Sequence, residues 1–397
     1  MAVSVPKGFL MSGVHCRIKR DRRKHDFSLV VSEVPASAAG VYTQNLVYAA
    51  PVALDRSRTP SDRIRAVAIC SGVANACTGE RGLRDAEEMA RLAAVACGAE
   101  PDQALVLSTG VIGSFLPMDK IAQGITAAAA KLGRSETSLV AAARGMLTTD
   151  TIYKVASRTV TVGHLEYQIT GMAKGAAMMG PNMATMLGLI LTDAPLDPKV
   201  AQTALSASTR ESFNCMSVDG HVSTNDTVLL LANGAAGGQP LAGDGLATFQ
   251  TALTEVCIEL AKAIAGDGEG ATHLITIEVG GCTSRETAEQ IARTVANSPL
   301  VKTALHGADP NWGRIVSAAG YAGVPFDPNG VTLRLNGFLL YQNGTPVEFD
   351  GGEVSTSIRD HRDTLIQLDF SEGDAKAHFW TADLTAEYVR LNADYHT

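Results

Sequence analysis

No two of the seven cysteines in this 397-residue sequence form a C-x-x-C pair: Cys16, Cys70, Cys77, Cys97, Cys215, Cys257 and Cys282 are scattered singly, and their number is odd. Such a set gives neither a disulfide framework nor a zinc knuckle, so a reducing compartment is expected and no metal site. Long apolar runs are missing too, and Met1 to Met11 lack the charged stretch followed by an apolar one that marks a secretory leader. The expectation is a cytoplasmic protein with no membrane partner. Blocks of one charge are short. The net charge is -8, and the longest basic cluster is Lys19, Arg20, Arg22, Arg23 and Lys24. Lying between apolar runs, it reads as a solvated turn or strand edge, and a nucleic-acid groove is not expected. There is also no internal repeat and no low-complexity linker, so composition marks no domain boundary.

What is present is an enzyme-like composition, 46% hydrophobic and 19% charged, over a length that suggests two or three packed units. Short β-type runs at Arg65 to Ile69 and Ala104 to Leu107 alternate with helical patterns such as Arg84 to Cys97 and one near Met118. Leu246, Phe249, Leu253, Val256, Leu260 and Ile264 recur at three- and four-residue spacing, which predicts one long amphipathic helix with a buried face. A strand at His273 to Val279, a helix at Arg285 to Ala296, and β-type stretches at Val331 to Tyr341 and Thr364 to Phe370 follow. The pattern predicts an α/β (α+β) fold with helices packed outside β-sheets.

The densest chemistry lies mid-chain, from Lys174 to Leu187, where a Lys, small residues and a Pro181-Asn182 turn precede Thr185 and the strand-like Met186 to Leu191. A sharp turn can press the Thr185 hydroxyl against the carbonyl of Ala184, the geometry of an N-to-O acyl shift. Hydrolysis of that ester would leave Thr185 as a new N-terminus. Its α-amine, with a pKa of ~8, would then serve as general base for its own hydroxyl. Read from these residues alone, a Thr that begins a strand after a turn is first of all an ordinary structural residue. Ser108-Thr109-Gly110 likewise reads either as a plain turn or as a source of donors. Asp309, Asn311 and Arg314 read either as a polar cluster bracing a site or as a Pro-Asn-Trp turn leading into a helix.

The same segment resembles the signature of the ornithine acetyltransferase, or bifunctional glutamate N-acetyltransferase, family, in which K-G-x-G-M-x-x-P-N-M-A-T-M-L surrounds a self-cleavage site. The resemblance runs through Pro6 to Phe9, Ala49 to Val52, Ala74 to Gly79, Ser108 to Gly113, Thr148 to Thr151 and Ser223 to Thr227. It continues through Asp267 to Thr272, His306 to Arg314 and Tyr388 to Thr397. It implies a layered αββα-like sandwich, with 1–184 as an α-chain and 185–397 as a β-chain. Thr185 would be the nucleophile and Ala184 the last residue before the cut. The oxyanion hole would fall on Thr109 and Gly110, and each such donor contributes about 3 kcal/mol. Substrate would be held by Thr148, Lys174, Thr185, Glu269, Asn392 and Thr397, the last two carried by an aromatic-rich tail able to pack down.

The implied reaction is ping-pong acetyl transfer from N-acetylornithine to glutamate, without metal or cofactor, in α2β2 or larger assemblies. Use of acetyl-CoA as a second donor stays open. Charge alone pairs Glu269 with the ornithine ammonium and Lys174 with a substrate carboxylate. Three departures stand out: Val73 where relatives often carry Asn, Ala177 where glycine is usual, and His273 where Lys is common. Two other readings are a related self-processing aminopeptidase, which typically cuts at serine, and a non-catalytic homologue, which should have lost Thr185, Thr109 or Lys174.

Overall fold

A computed structural model describes residues 3–178, 180 and 186–394. Chain order begins with β1 (Phe9–Val14), β2 (Phe27–Tyr42), α1 (Ala50–Arg58), β3 (Ser61–Val73), α2 (Gly79–Ala96), β4 (Ala104–Val111), α3 (Met118–Ala129), α4 (Glu136–Met146), β5 (Lys154–Val162) and β6 (Leu165–Lys174). It continues through β7 (Leu187–Thr192), α5 (Pro198–Arg210), β8 (Met216–Ser217), β9 (Thr227–Ala232), α6 (Gly243–Gly266), β10 (Leu274–Cys282), α7 (Arg285–Asn297), α8 (Pro299–His306) and α9 (Trp312–Gly320). The last elements are β11 (Thr332–Leu335), β12 (Phe338–Gln342), β13 (Thr345–Pro346), α10 (Gly351–Arg359), β14 (Asp363–Asp369), β15 (Ala375–Ala382) and α11 (Ala386–Asp394).

The first sheet runs β4-β3-β2-β9-β7-β6-β5, with β1 also on β2. Strand β2 belongs to both of its halves. Its first part pairs with β1 and β3, its last part with β9, and its register against β3 shifts between Val31 and Ala38. Glu33, Val34 and Pro35 are exposed there, and Pro35 has no N–H for a ladder, so the sheet bends at this point. The bend brings two inner faces together. Val30, Val67, Ile69, Leu105 and Leu107 from one half share a buried cluster with Met172, Leu187, Leu189 and Leu229 from the other.

Because side chains alternate along a strand, the intervening residues face outward onto helices. Leu29, Val31, Ala66 and Ala68 meet α2 and α3, while Ile169, Ile190, Val228 and Leu230 meet α5 and α6. The layers are therefore helix, strand, strand, helix, in line with the α/β sandwich expected from the sequence. A second sheet, β13-β12-β11-β14-β10-β15-β8, packs with α7 and shares α6 with the first.

The predicted apolar stripe on α6 is observed, with Phe249, Leu253, Val256, Leu260 and Ile264 all buried. The stretch Val331 to Tyr341, expected as continuous β structure, is instead a hairpin. Asn336 and Gly337 take φ of 49° and 86°, which suits a two-residue turn between right-twisted strands. Among the basic cluster, Arg20, Arg22, Arg23 and Lys24 are exposed as expected, but Lys19 is half-buried. Its Nζ donates to His25 O at 2.8 Å, Ser71 Oγ at 2.7 Å and Leu147 O at 2.5 Å, so it pins the loop rather than solvating it. Among the described residues no helix is long and apolar enough to cross a membrane.

Candidate active site

The two β layers leave a cavity of about 140 Å³ where strands from both halves end. Thr109 and Gly110 reach it from the end of β4, Lys174 from the end of β6, and Thr148 and Thr149 from the loop between α4 and β5. Ala177 and Met178 follow Lys174. Ser223, Thr224 and Asn225 precede β9, Glu269 follows α6, and Asn392 comes from α11. Six sequence-predicted residues, Thr109, Gly110, Thr148, Lys174, Glu269 and Asn392, thus line one space. Ala184, Thr185 and Thr397 lie outside the described residues. Met186, next in the chain after Thr185, donates its N–H to Asp226 Oδ1 at 3.0 Å, and Leu187 pairs with both Lys174 and Thr227.

Ser108 to Gly110, read from sequence as a turn, is the irregular end of β4 alongside β3, with a register shift at Gly72 and Val73. Gly110 has φ +132°, and a Cβ there would lie 2.3 Å from the Gly72 carbonyl carbon and 2.6 Å from Val73 N, so no other residue fits without moving β3. Asn225 ties this strand end to the other layer. Its Nδ2 donates to Ala74 O at 2.6 Å and Ser108 O at 2.8 Å, while its Oδ1 accepts from Thr224 Oγ1 at 2.6 Å.

Behind the cavity lies a buried charge network. Lys154 Nζ donates to Asp150 Oδ1 at 2.7 Å and to Asp267 Oδ2 at 2.6 Å, with no side-chain exposure of Lys154 or Asp150. Asp150 also accepts from Gly175 N at 2.7 Å and Thr148 N at 3.1 Å, and Asp267 accepts from Thr151 N and Oγ1. Three segments that each supply a cavity residue are therefore clamped together by one ammonium. Removing it would leave Asp267 without its ion-pair partner and Asp150 with the Lys174 charge alone.

The surrounding charges set the protonation preferences. Burial pushes the Lys174 ammonium below its ordinary value, with Asp150 pulling the other way. Asp150 resists the effect of its own burial because Lys174 and Lys154 hold its carboxyl well below the usual carboxylate range. Asp226 is fully buried, and desolvation raises it well above that range, so it favours the neutral form. The cavity then presents one buried amine at Lys174 and one half-buried carboxylate at Glu269, which also accepts from Asn392 Nδ2 at 2.9 Å.

Ala177 does not occupy the left-handed region; the residue that does is Met178, with φ 56°. The turn therefore tolerates alanine at this departure. Val73 packs partly buried beside α2 and α3, and His273 is buried against Asp383, away from the cavity. Asn311 caps α9 by accepting from Arg314 N at 3.1 Å, which is the helix start the sequence suggested. Sequence reasoning missed the bracing roles of Asn225, Asp150, Lys154 and Asp267. The usable signal was four polar residues, Ser223 to Asp226, directly before β9, whose six residues are all buried. Among the described residues no group of three or more His, Cys, Asp or Glu side chains is arranged to hold a metal ion.

Comparison with known proteins matches residues 10–397 to the model of the ArgJ family. The arginine biosynthesis bifunctional protein ArgJ of Rhodopirellula baltica is 46% identical over 99% of this chain and 96% of its own length. The protein of the same name from Symbiobacterium thermophilum is 47% identical over 100% of this chain and 98% of its own. A crystal structure of the arginine biosynthesis bifunctional protein argJ from Bacillus halodurans superposes with a TM-score of 0.50 and 39% identity. It covers 51% of this chain and 96% of its own, so that solved chain is about half as long. With a family model spanning nearly its whole length and full-length relatives at this identity, the chain belongs to the ArgJ family.

Proposed function

We propose that this protein is an acyltransferase of arginine biosynthesis that moves the acetyl group of N-acetylornithine to glutamate through an ester on Thr185, after cutting itself between Ala184 and Thr185. The observation that carries the proposal is the convergence of Thr109, Gly110, Thr148, Lys174, Glu269 and Asn392 on one cavity at the strand end into which Thr185 leads.

In self-cleavage the Thr185 hydroxyl oxygen attacks the Ala184 carbonyl carbon, the peptide C–N bond breaks, and the hydroxyl proton ends on the departing nitrogen. Water then hydrolyses the ester, leaving an Ala184 carboxylate and a Thr185 with a free hydroxyl and α-amine. The two pieces stay joined because they share one sheet: β6 pairs with β7 and β2 with β9 across the cut. Such pairs then associate into α2β2 or larger forms. The half-length Bacillus halodurans chain supports a precursor cut near its middle.

In transfer, the Thr185 oxygen attacks the acetyl carbonyl of N-acetylornithine, and its α-amine takes the hydroxyl proton and passes it to the leaving ornithine nitrogen. Thr109 and Gly110 donate to the oxygen that gains charge, a preorganised contribution that water would not supply. Glutamate's amine then attacks the ester and regenerates the hydroxyl. Glu269 receives the ornithine ammonium. A substrate carboxylate approaching Lys174 favours its charged form and offsets the cost of burial.

The test is acetyl transfer from N-acetylornithine to glutamate by the purified protein, with acetyl-CoA assayed as a second donor. Glu269→Gln keeps the shape and removes the charge. Its KM for N-acetylornithine is expected to rise about thirtyfold, the loss of one charge-assisted contact of about 2 kcal/mol. An unchanged KM would remove Glu269 from that role.

A further inference from the structure

The short path from α11 to the turn before the cut points to a coupling between them. Met178 is held in the left-handed region, which is unfavourable for a residue with a long side chain. Its N–H donates to Asp219 Oδ2 at 2.7 Å, and that same oxygen accepts from the hydroxyl of Tyr388 on α11 at 3.1 Å. The other oxygen, Oδ1, accepts from His221 N at 3.1 Å, which fixes the carboxylate in its own loop. Two residues beyond Met178, Gly180 packs so closely on this loop that an added Cβ would lie 2.7 Å from both the carbon and the oxygen of the Gly220 carbonyl.

The opposite side of the turn is tied to the same helix. Ala176 O accepts from Glu269 N at 2.8 Å, and Glu269 accepts from Asn392. The adjacent Gly270 sits under α11, its carbonyl bonded to Thr385 Oγ1 at 2.9 Å, and Thr385 Oγ1 in turn accepts from Tyr388 N at 3.1 Å. One helix near the end of the chain therefore braces both loops that hold Ala176, Met178 and Gly180, which precede Ala184 and Thr185 in the chain.

We propose that Asp219 and Tyr388 are positioning residues that couple docking of α11 to self-cleavage, so that the chain is cut efficiently only once its C-terminal helix is in place. The proposal rests on the reading that the chain cuts itself at Ala184-Thr185. A cut made before the second sheet and α11 had folded would free a fragment lacking its partner surfaces, and coupling the strained turn to the last helix delays the cut until assembly is complete.

Tyr388→Phe removes one hydroxyl, keeps the ring, and changes no group assigned to substrate. With the full-length chain made in a cell-free system and fragments followed by intact mass, Tyr388→Phe is expected to slow cleavage about tenfold, the effect of one hydrogen bond to a charged acceptor. Asp219→Ala is expected to slow it further, whereas kcat of fully cut Tyr388→Phe enzyme should match wild type. Cleavage of Tyr388→Phe at the wild-type rate would overturn the coupling, and this variant alone decides should Asp219→Ala fail to fold by circular dichroism. A loss of kcat in the fully cut variant equal to the loss in cleavage rate would also overturn it, since a general disturbance of the site would explain both. A wild-type chain that never cuts would instead overturn the self-cleavage reading.

Discussion

Thr185→Ala is expected to give a single uncut chain with acetyl transfer reduced by at least ~10⁴-fold, because one substitution removes both the hydroxyl that attacks Ala184 and the hydroxyl that carries acetyl. The α-amine that serves as base is lost with it, since without a cut the nitrogen stays an amide. Met172, Leu187 and Leu189 are buried in the core and are unchanged, so the variant should fold. Thr185→Ser keeps the oxygen and is expected to cut and to transfer. Intact mass and a transfer assay on the same samples decide the matter: cleavage or substantial transfer by Thr185→Ala would assign the nucleophile elsewhere.

Gly110→Ala is expected to lower kcat for acetyl transfer about 10²- to 10³-fold with little change in KM for N-acetylornithine. The new Cβ would overlap the Gly72 carbonyl carbon at 2.3 Å and force a φ that alanine resists, so the ends of β3 and β4 must part. Donors at Thr109 and Gly110 would then be displaced from the developing charge. Displacement of this kind penalises the transition state far more than the bound substrate. Steady-state kinetics of the cut enzyme tests this, and a kcat within a few-fold of wild type would remove Gly110 from the oxyanion hole.

Much of this was legible in the sequence because it is local. The spacing along α6 and the strand runs at Arg65 to Ile69, inside β3, and from Ala104, where β4 begins, are set by residues a few positions apart. What was not legible depends on distant pairing. The bend in β2 at Pro35, which makes one sheet serve as two layers, shows in sequence only as a proline in an otherwise strand-like run. Lys154 and Asp267 are 113 positions apart in sequence, and Asn225 and Ser108 are 117 apart. Each of these polar groups reads alone as surface, and only the closed fold gives it a buried partner. At Ala177, where glycine is usual in the family resembled, the backbone does not need one, and the left-handed position falls on Met178.

The central claim is that acetyl rests on Thr185 between donor and acceptor. The most direct measurement is to mix the purified enzyme with N-acetylornithine in the absence of glutamate and weigh the fragments at once. The account predicts one ornithine released per active site and one acetyl group on the fragment that begins at Thr185, disappearing when glutamate is added. Release of ornithine only when glutamate is present, with no acetyl retained on either fragment, would contradict it and require direct transfer between the two substrates.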